Sequence, residues 1–152
     1  MIYSRHNLLI VLLVTLLMTA GCAATGGKKY EEARIEPDKA GIYIYRPASK
    51  VGGNVIYPVY INGRKVMRLP QTAYYVYYAE PGAVTITART PENEAVIELD
   101  AKAGEIYYVK GGATLGEKTG RATLTKVSPE RGAVEIMECK YYRQHDLLRE
   151  KE

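Results

Sequence analysis

The residue with the clearest chemical potential in this chain is Cys22, because of what precedes it. A short basic head leads into an apolar run at residues 8–18, and small residues ending in Gly21 come directly before the cysteine. That order predicts a secretory signal peptide over residues 1–21. The apolar run has about eleven residues, whereas a helix needs about 20 to cross a bilayer. We therefore do not expect it to remain as a spanning helix.

Ala20-Gly21-Cys22 resembles the lipobox of bacterial lipoproteins, although Thr19 stands where leucine is commoner. The resemblance implies that the signal is cleaved between Gly21 and Cys22. It also implies that the thiol of Cys22 receives a diacylglyceryl group and that the new amino terminus gains a palmitate-type acyl chain. Two or more such chains hold a protein durably on a membrane. The alternative is an ordinary secretory signal whose cysteine is incidental.

The residue after the cysteine bears on location. Ala23 stands there, with no aspartate at that position. In proteins with the resembling motif, this favours the outer membrane of a Gram-negative cell, with the body facing the periplasm.

The second cysteine, Cys139, has no partner within the chain if Cys22 carries lipid. An intramolecular disulfide is then not expected, even though the compartment permits one. Two interpretations stay open for Cys139. It is either a buried small hydrophobic residue or an exposed thiol that pairs between molecules.

Tyrosine is the only aromatic residue type, with fourteen copies and no phenylalanine or tryptophan. Tyrosine suits a half-buried pleated surface because its ring packs while its hydroxyl reaches a polar partner. Strand alternation suggests an exposed platform that could stack on sugars or anchor a protein partner, formed by Tyr43, Tyr45, Tyr75, Tyr77 and Tyr107. The alternative is that these rings fill a tyrosine-rich core and its rim.

Other groups offer little chemistry. His145 is the one histidine after the signal, in a charged tail at residues 145–152, and neither a zinc-ligand spacing nor a nucleophile motif accompanies it. Acidic residues concentrate at residues 92–100, where Glu94, Glu98 and Asp100 alternate as an outward strand face should. A pair of carboxylates for glycoside hydrolysis stays open as an alternative. We expect no metal, no cofactor and no enzymatic activity.

Composition limits the partners and the domain count. The formal net charge is +4 and the basic residues are scattered, which excludes a nucleic-acid footprint. About 130 residues remain after the signal, the usual size of one domain. Residues 22–39 are small or charged and predict a flexible tether, and residues 40–144 predict a single β-rich domain.

Short alternating runs separated by turn residues predict most of the domain. Strands are expected at residues 41–45, 54–61, 64–69, 72–79, 83–89, 94–99, 105–110 and 122–127. Asn62-Gly63 predicts a tight hairpin. Pro58 lacks an N–H and therefore indicates an edge position or a bulge in its strand. Residues 111–120 are too irregular to assign.

The C-terminal part changes character. Ser128-Pro129-Glu130 combines an N-cap residue, a proline at the first helical position and an early acid. Val134, Met137 and Tyr141 then recur at helical spacing. We predict a helix over residues 129–144 packed across the sheet, with a strand at residues 133–138 as the alternative because Gly132 weakens the first turn. The fold class is mainly β, an antiparallel sandwich or open barrel of about seven to eight strands with one C-terminal helix.

Turn and strand motifs carry a second resemblance. Tyr60-Ile61-Asn62-Gly63, Leu69-Pro70 and Pro81-Gly82 are similar to the PEGA-type β-module of bacterial envelope proteins. The wider pattern over about residues 40–140 resembles small bacterial lipoproteins classed only as a domain of unknown function. The resemblance implies a fold and no catalytic residues. The expected role is therefore that of a lipid-anchored envelope protein that binds a protein or glycan partner, with a glycan hydrolase as the alternative.

Overall fold

The computed structural model of the chain describes residues 29–142, and strands make up most of this part. Its elements are β1 (Ala40–Arg46), β2 (Tyr57–Ile61), β3 (Arg64–Leu69), β4 (Ala73–Ala79), β5 (Gly82–Arg89), β6 (Glu94–Ala101), β7 (Ile106–Thr114), β8 (Arg121–Val127), α1 (Pro129–Glu135), a 3₁₀ turn (Ile136–Glu138) and β9 (Lys140–Tyr141).

The strands form two sheets. The first has the order β8-β7-β1-β4-β9 and the second the order β3-β2-β5-β6. Neighbouring strands are antiparallel except for β1 with β7 and β4 with β9. The predicted mainly β fold with one C-terminal helix is confirmed, and the two sheets are consistent with the predicted sandwich. Within residues 29–142 the strands do not close into a barrel. The described residues contain nine strands rather than seven to eight, and β9 was not predicted.

Strand alternation builds the core between the two sheets. Ile42 and Ile44 of β1 point toward the second sheet, where Val59, Ile61 and Ile86 meet them, and all five side chains are almost completely buried. Complete burial of an aliphatic side chain contributes about 1.5–3 kcal/mol each. The residues that stabilise the core between the sheets are therefore ones that the alternation of apolar residues in the sequence predicted.

The opposite face of the first sheet carries a second buried cluster. Tyr43, Tyr45, Tyr74 and Tyr108 lie there, and the segment before β1 covers part of them. Tyr30, Ala33 and Ile35 of that segment pack against the cluster, and Lys29 forms an isolated bridge with Lys140. Residues 29–39 thus differ from the flexible tether predicted for them, because an aromatic face is available for their few apolar side chains.

The hairpin between β2 and β3 follows its sequence signal. Asn62 and Gly63 have φ angles of 48° and 77°, which two successive left-handed residues of a tight hairpin require. Pro58 lies in β2, an interior strand of its sheet, and the register of β2 against β3 shifts between Val59 and Tyr60. The extra residue at this shift is Val66 of β3, because Val59 pairs with Met67 and Tyr60 pairs with Lys65. The predicted bulge in the strand of Pro58 is therefore wrong. The edge position is also wrong for the strand as a whole, although Pro58 itself precedes the residues of β2 that pair with β5.

Two segments near the C-terminus depart from expectation. Part of the glycine-rich stretch left unassigned extends β7 as far as Thr114. The helix begins at Pro129 as predicted, but α1 ends at Glu135 and the 3₁₀ turn ends at Glu138. Cys139 is then extended and buried, and the chain pairs with β4. The predicted helix over residues 129–144 is therefore too long, and the alternative strand at residues 133–138 is also wrong.

The face of the helix was assigned incorrectly as well. Val134 and Met137 are 68% and 66% exposed, whereas Gly132 and Ile136 are buried against the sheet. A Cβ atom at Gly132 would lie 2.2 Å from Cγ of Tyr108. The glycine therefore sets the face, because only a residue without a side chain lets the backbone lie on that ring.

Candidate functional site

The five tyrosines predicted as one exposed platform lie on two different faces of the first sheet. Tyr43 and Tyr45 are completely buried on the outer face. Tyr75 and Tyr77 stand opposite Ile44 and Ile42 and share the inner face with Tyr107. Tyr107 is 9% exposed, and Tyr75 and Tyr77 are half-buried. The predicted platform does not form, and the alternative of a tyrosine-rich core and rim agrees with this burial.

The rings that do meet form a structural cluster. Tyr43 stacks on Tyr108 with ring centroids 5.1 Å apart, and Tyr45 meets the same ring edge-on at 6.4 Å. Tyr30 contacts the edge of Tyr74 at 5.4 Å. Sequence reasoning missed Tyr30, Tyr74 and Tyr108. The adjacent tyrosines at residues 74–75 and 107–108 indicated that one ring of each pair lies on the same face as Tyr43 and Tyr45. They did not indicate which ring it is.

Polar contacts hold this cluster in place. The backbone N–H of Ala33 donates to the hydroxyl of Tyr43 at 2.7 Å, and the hydroxyl of Tyr45 donates to Glu135 at 2.8 Å. Burial raises the pKa of Tyr45, and the bond to that carboxylate raises it further. Burial opposes ionisation of Glu135, but bonds from Lys110, Arg131 and Tyr45 lower its pKa to about 2. These contacts tie α1 to the sheet.

Accessible tyrosine surface occurs in a groove on the outer face, which we name the acidic groove. Its volume is about 280 Å³, and its lining residues are Glu31, Glu32, Ala33, Tyr74, Val76, Tyr78 and Tyr141. Tyr78 is 49% exposed and Tyr141 is 37% exposed. Both carboxylates are on the surface, so the groove joins exposed ring area with negative charge.

A second groove, which we name the basic groove, lies on the inner face where β3 and β4 leave the sandwich open. It has a volume of about 410 Å³ and is lined by Ile61, Asn62, Arg64, Val66, Tyr75 and Tyr77. Two of the predicted tyrosines therefore do line an accessible surface. Arg64 is exposed. Burial raises the pKa of Tyr75, and the positive charge of Arg64 opposes that rise.

The outer edge of β4 lies between the two grooves and is only partly paired. β9 pairs with Ala73 and Tyr74 alone. The N–H of Lys140 donates to the carbonyl of Thr72 at 2.7 Å, and the N–H of Tyr142 donates to that of Tyr74 at 2.8 Å. Because alternate residues of a strand direct their backbone groups to the same side, those of Val76 and Tyr78 point to this edge too. Within residues 29–142 no hydrogen bond reaches them there.

The carboxylates of residues 92–100 serve other contacts. Glu94 pairs with Arg89 at 2.7 Å, and Glu98 and Asp100 point outward from β6 as their alternation predicts. No group of three or more possible metal ligands occurs in the described part of the chain. Glu92 accepts from the backbone N–H of Thr119, Lys118 and Glu117, which holds its pKa at about 2. So low a pKa is unsuited to the general acid of a glycosidase. His145 lies outside the described residues.

Glu92 yields a prediction about the loop at residues 117–120. Its pKa falls from the ordinary 4.5 to about 2, so its stabilising contribution is complete above pH 4.5 and is lost as pH falls through about 2. In Glu92→Gln we expect faster amide exchange at Lys118 and Thr119 at neutral pH. In the unchanged protein their amide shifts should move only near pH 2. Glu94→Gln, an exposed acid nearby, is the control, and a transition near pH 4.5 would contradict the prediction.

Of the two cysteines, Cys139 lies within the residues that the structure describes and Cys22 lies outside them. Cys139 is 1% exposed, its Sγ lies 3.5 Å from the carbonyl of Arg46, and burial raises its pKa to about 11. A thiol with that pKa stays protonated and unreactive at neutral pH. The first interpretation of Cys139, a buried small hydrophobic residue, is confirmed. The predicted cleavage and lipidation positions, Gly21 and Cys22, lie outside the described residues.

Two sheets packed face to face, with one short helix and an open strand edge between two grooves, define a mainly β protein of the sandwich type. The chain belongs to the family described as "Protein of unknown function (DUF2846)", which matches residues 36–122. The match runs from just before β1 to the start of β8 and includes β4. No curated protein matches the chain. Among the described residues, no helix is both long and apolar enough to cross a bilayer.

Proposed function

We propose that the protein is a lipid-anchored envelope lipoprotein whose β-sandwich binds a partner and performs no catalysis. The observation that supports binding most directly is the open edge of β4 between the acidic and basic grooves. Tyr78, with about half its surface exposed, stands on that edge. Exposed tyrosine beside charged groups is typical of interaction surfaces, because the ring supplies contact area and the rim supplies selectivity.

The anchor supports the location. Cys22 follows an apolar run too short to span a bilayer, and small residues precede it. A diacylated and N-acylated Cys22 would hold the protein on a membrane. Because Ala23 rather than aspartate follows Cys22, the proposed location is the outer membrane, with the folded domain in the periplasm. The β2–β3 hairpin and the Pro81-Gly82 turn before β5 agree with the proposed PEGA-like module.

Substitution of Cys22 by serine tests the anchor. We expect Cys22→Ser to leave the membrane fraction or to accumulate unprocessed, with the mass of residues 1–21 retained, because a hydroxyl does not receive the diacylglyceryl group. The measurement is membrane fractionation followed by intact mass. Cys139→Ser is the matched control, since it changes the other cysteine and should stay on the membrane. Unchanged fractionation and mass in Cys22→Ser would refute the anchor.

A further inference from the structure

We propose that the open edge of β4 binds an extended segment of a partner protein as an added strand, parallel to β4 and continuing the line of β9. This inference rests on the proposed binding role and names the class of partner. In it, a basic side chain of the segment enters the acidic groove and an acidic side chain enters the basic groove. The backbone of the segment pairs with Val76 and Tyr78.

The backbone geometry of the chain itself supplies the first argument. β9 shows that this edge accepts a parallel strand, with hydrogen bonds of 2.7 and 2.8 Å to the carbonyls of Thr72 and Tyr74. The same row of groups continues at Val76 and Tyr78, where two N–H and two C=O groups have no partner within residues 29–142. A peptide satisfies such a row with its own backbone, which a glycan cannot do in register.

The side chains of β4 supply the second argument. Exposed strand edges are usually protected by charged residues, which discourage pairing with other chains. The other three outer strands follow this rule: β3 carries Arg64, Lys65 and Arg68, β6 carries Glu94, Glu98 and Asp100, and β8 carries Arg121 and Lys126. The open part of β4, residues 75–79, is Tyr-Val-Tyr-Tyr-Ala and has no charge. This edge lacks the usual protection against an added strand.

Charge favours a partner over a second copy of the chain. A two-fold pairing of two β4 edges into one continuous sheet keeps each face on its own side. Glu32 of one copy would then approach Glu32 of the other, and Arg64 would approach Arg64. Like charges across such an interface are unfavourable. A segment with basic and acidic side chains on opposite faces meets both grooves favourably, because successive residues of a strand alternate in direction.

A peptide-binding experiment tests the inference. The probe is the fluorescein-labelled peptide KVYEKVY, which places Lys and Tyr on one face and Val and Glu on the other. We expect the full chain in detergent to bind it about tenfold more tightly than EVYKEVY, which exchanges the charges between faces. Amide exchange should slow at Val76 and Tyr78 and stay unchanged in β6. A copy of the peptide N-methylated on the amides that face β4 should not bind.

Two variants at one exposed position separate the backbone from the side chain. Tyr78→Pro removes the N–H that points to the edge, a substitution that edge strands tolerate, and should weaken binding about tenfold. Tyr78→Val keeps the N–H and β propensity and should weaken it about threefold or less. Equal weakening by both variants would overturn strand pairing. So would undiminished binding of the N-methylated peptide, since side chains alone would then account for affinity.

Other occupants of the edge give distinct results. If amide exchange at Val76 and Tyr78 slows without peptide as the protein concentration rises, a second copy of the chain occupies the edge. That result would overturn the inference. Binding seen only in a chain ending at Tyr142 would assign the edge to the residues that follow and would also overturn it. Failure of pairing with Cys22-dependent membrane attachment intact would remove only this inference. Loss of the Cys22 result would remove the proposed anchor and leave the edge measurements standing.

Discussion

Replacing Arg46 by methionine should destabilise the fold by about 3 kcal/mol, one of the largest effects we expect from a single substitution. Arg46 is 1% exposed and its guanidinium donates to three backbone carbonyls. Nη1 donates to Val55 and, at 3.2 Å, to Leu69, while Nη2 donates to Gly52 at 2.6 Å. Methionine fills similar volume but leaves all three carbonyls without this donor. Burial lowers the pKa of Arg46, so relief of desolvation offsets part of the loss.

Urea denaturation of the two proteins measures this difference. Arg46→Lys should also destabilise the fold, because one ammonium group cannot serve three carbonyls in the fork geometry of a guanidinium. Arg121→Met, at an exposed position on β8, is the matched control and should change the free energy of unfolding by about 0.5 kcal/mol or less. A change below about 1 kcal/mol in Arg46→Met would contradict the structural role assigned to this cation.

Gly132→Ala should also destabilise the fold, by about 2 kcal/mol, although alanine favours a helix by about 1 kcal/mol over glycine. The added Cβ would lie 2.2 Å from Cγ and 2.5 Å from Cβ of Tyr108. Neither the ring nor the helix backbone can yield easily, since Tyr108 is stacked on Tyr43. The helix must therefore move away from the tyrosine cluster. Thermal unfolding and near-ultraviolet circular dichroism of the tyrosines measure the two parts of this effect.

Two further variants sharpen the Gly132 prediction. Val134→Ala changes an exposed residue of the same helix and should have an effect within about 0.5 kcal/mol. Removal of the ring in Tyr108→Val should make a subsequent Gly132→Ala substitution much less harmful, because the clashing atoms are gone. A double-mutant cycle measures that coupling. Independent, additive effects would show that alanine acts at position 132 through something other than Tyr108.

Alternation within a strand made most of the fold predictable, but it does not determine the register between strands. Val84, Ile86 and Ala88 are buried as their spacing indicates. The tyrosine platform failed because Tyr43 stands opposite Val76, so that Tyr74 rather than Tyr75 shares its face. A shift of one residue exchanges the two faces of a strand. Sequence therefore placed the tyrosines on strands correctly and grouped them incorrectly.

Long-range contacts explain the other differences. Arg46 continues the inward alternation of Ile42 and Ile44, which was a usable signal, but the carbonyls that accept from it come from the loop between β1 and β2 and from the end of β3. Glu92 was recognised only as part of the acidic run at residues 92–100, and its partners lie 25 to 28 residues further along the chain. The end of the helix was predicted incorrectly because the chain after Cys139 pairs with the edge of β4 as β9. That pairing is a long-range contact and leaves no local sequence pattern.

The bridge between Lys29 and Lys140 has a consequence for distance. It brings the first described residue beside β9, which itself pairs with Ala73 and Tyr74 of β4. If Cys22 is embedded through its acyl chains, the seven steps from Cys22 to Lys29 span at most about 25 Å of fully stretched backbone. The open edge of β4 would then stay close to the lipid headgroups, because the backbone that links the domain to Cys22 is short. Only polypeptides that pass close to the bilayer surface would come within its reach.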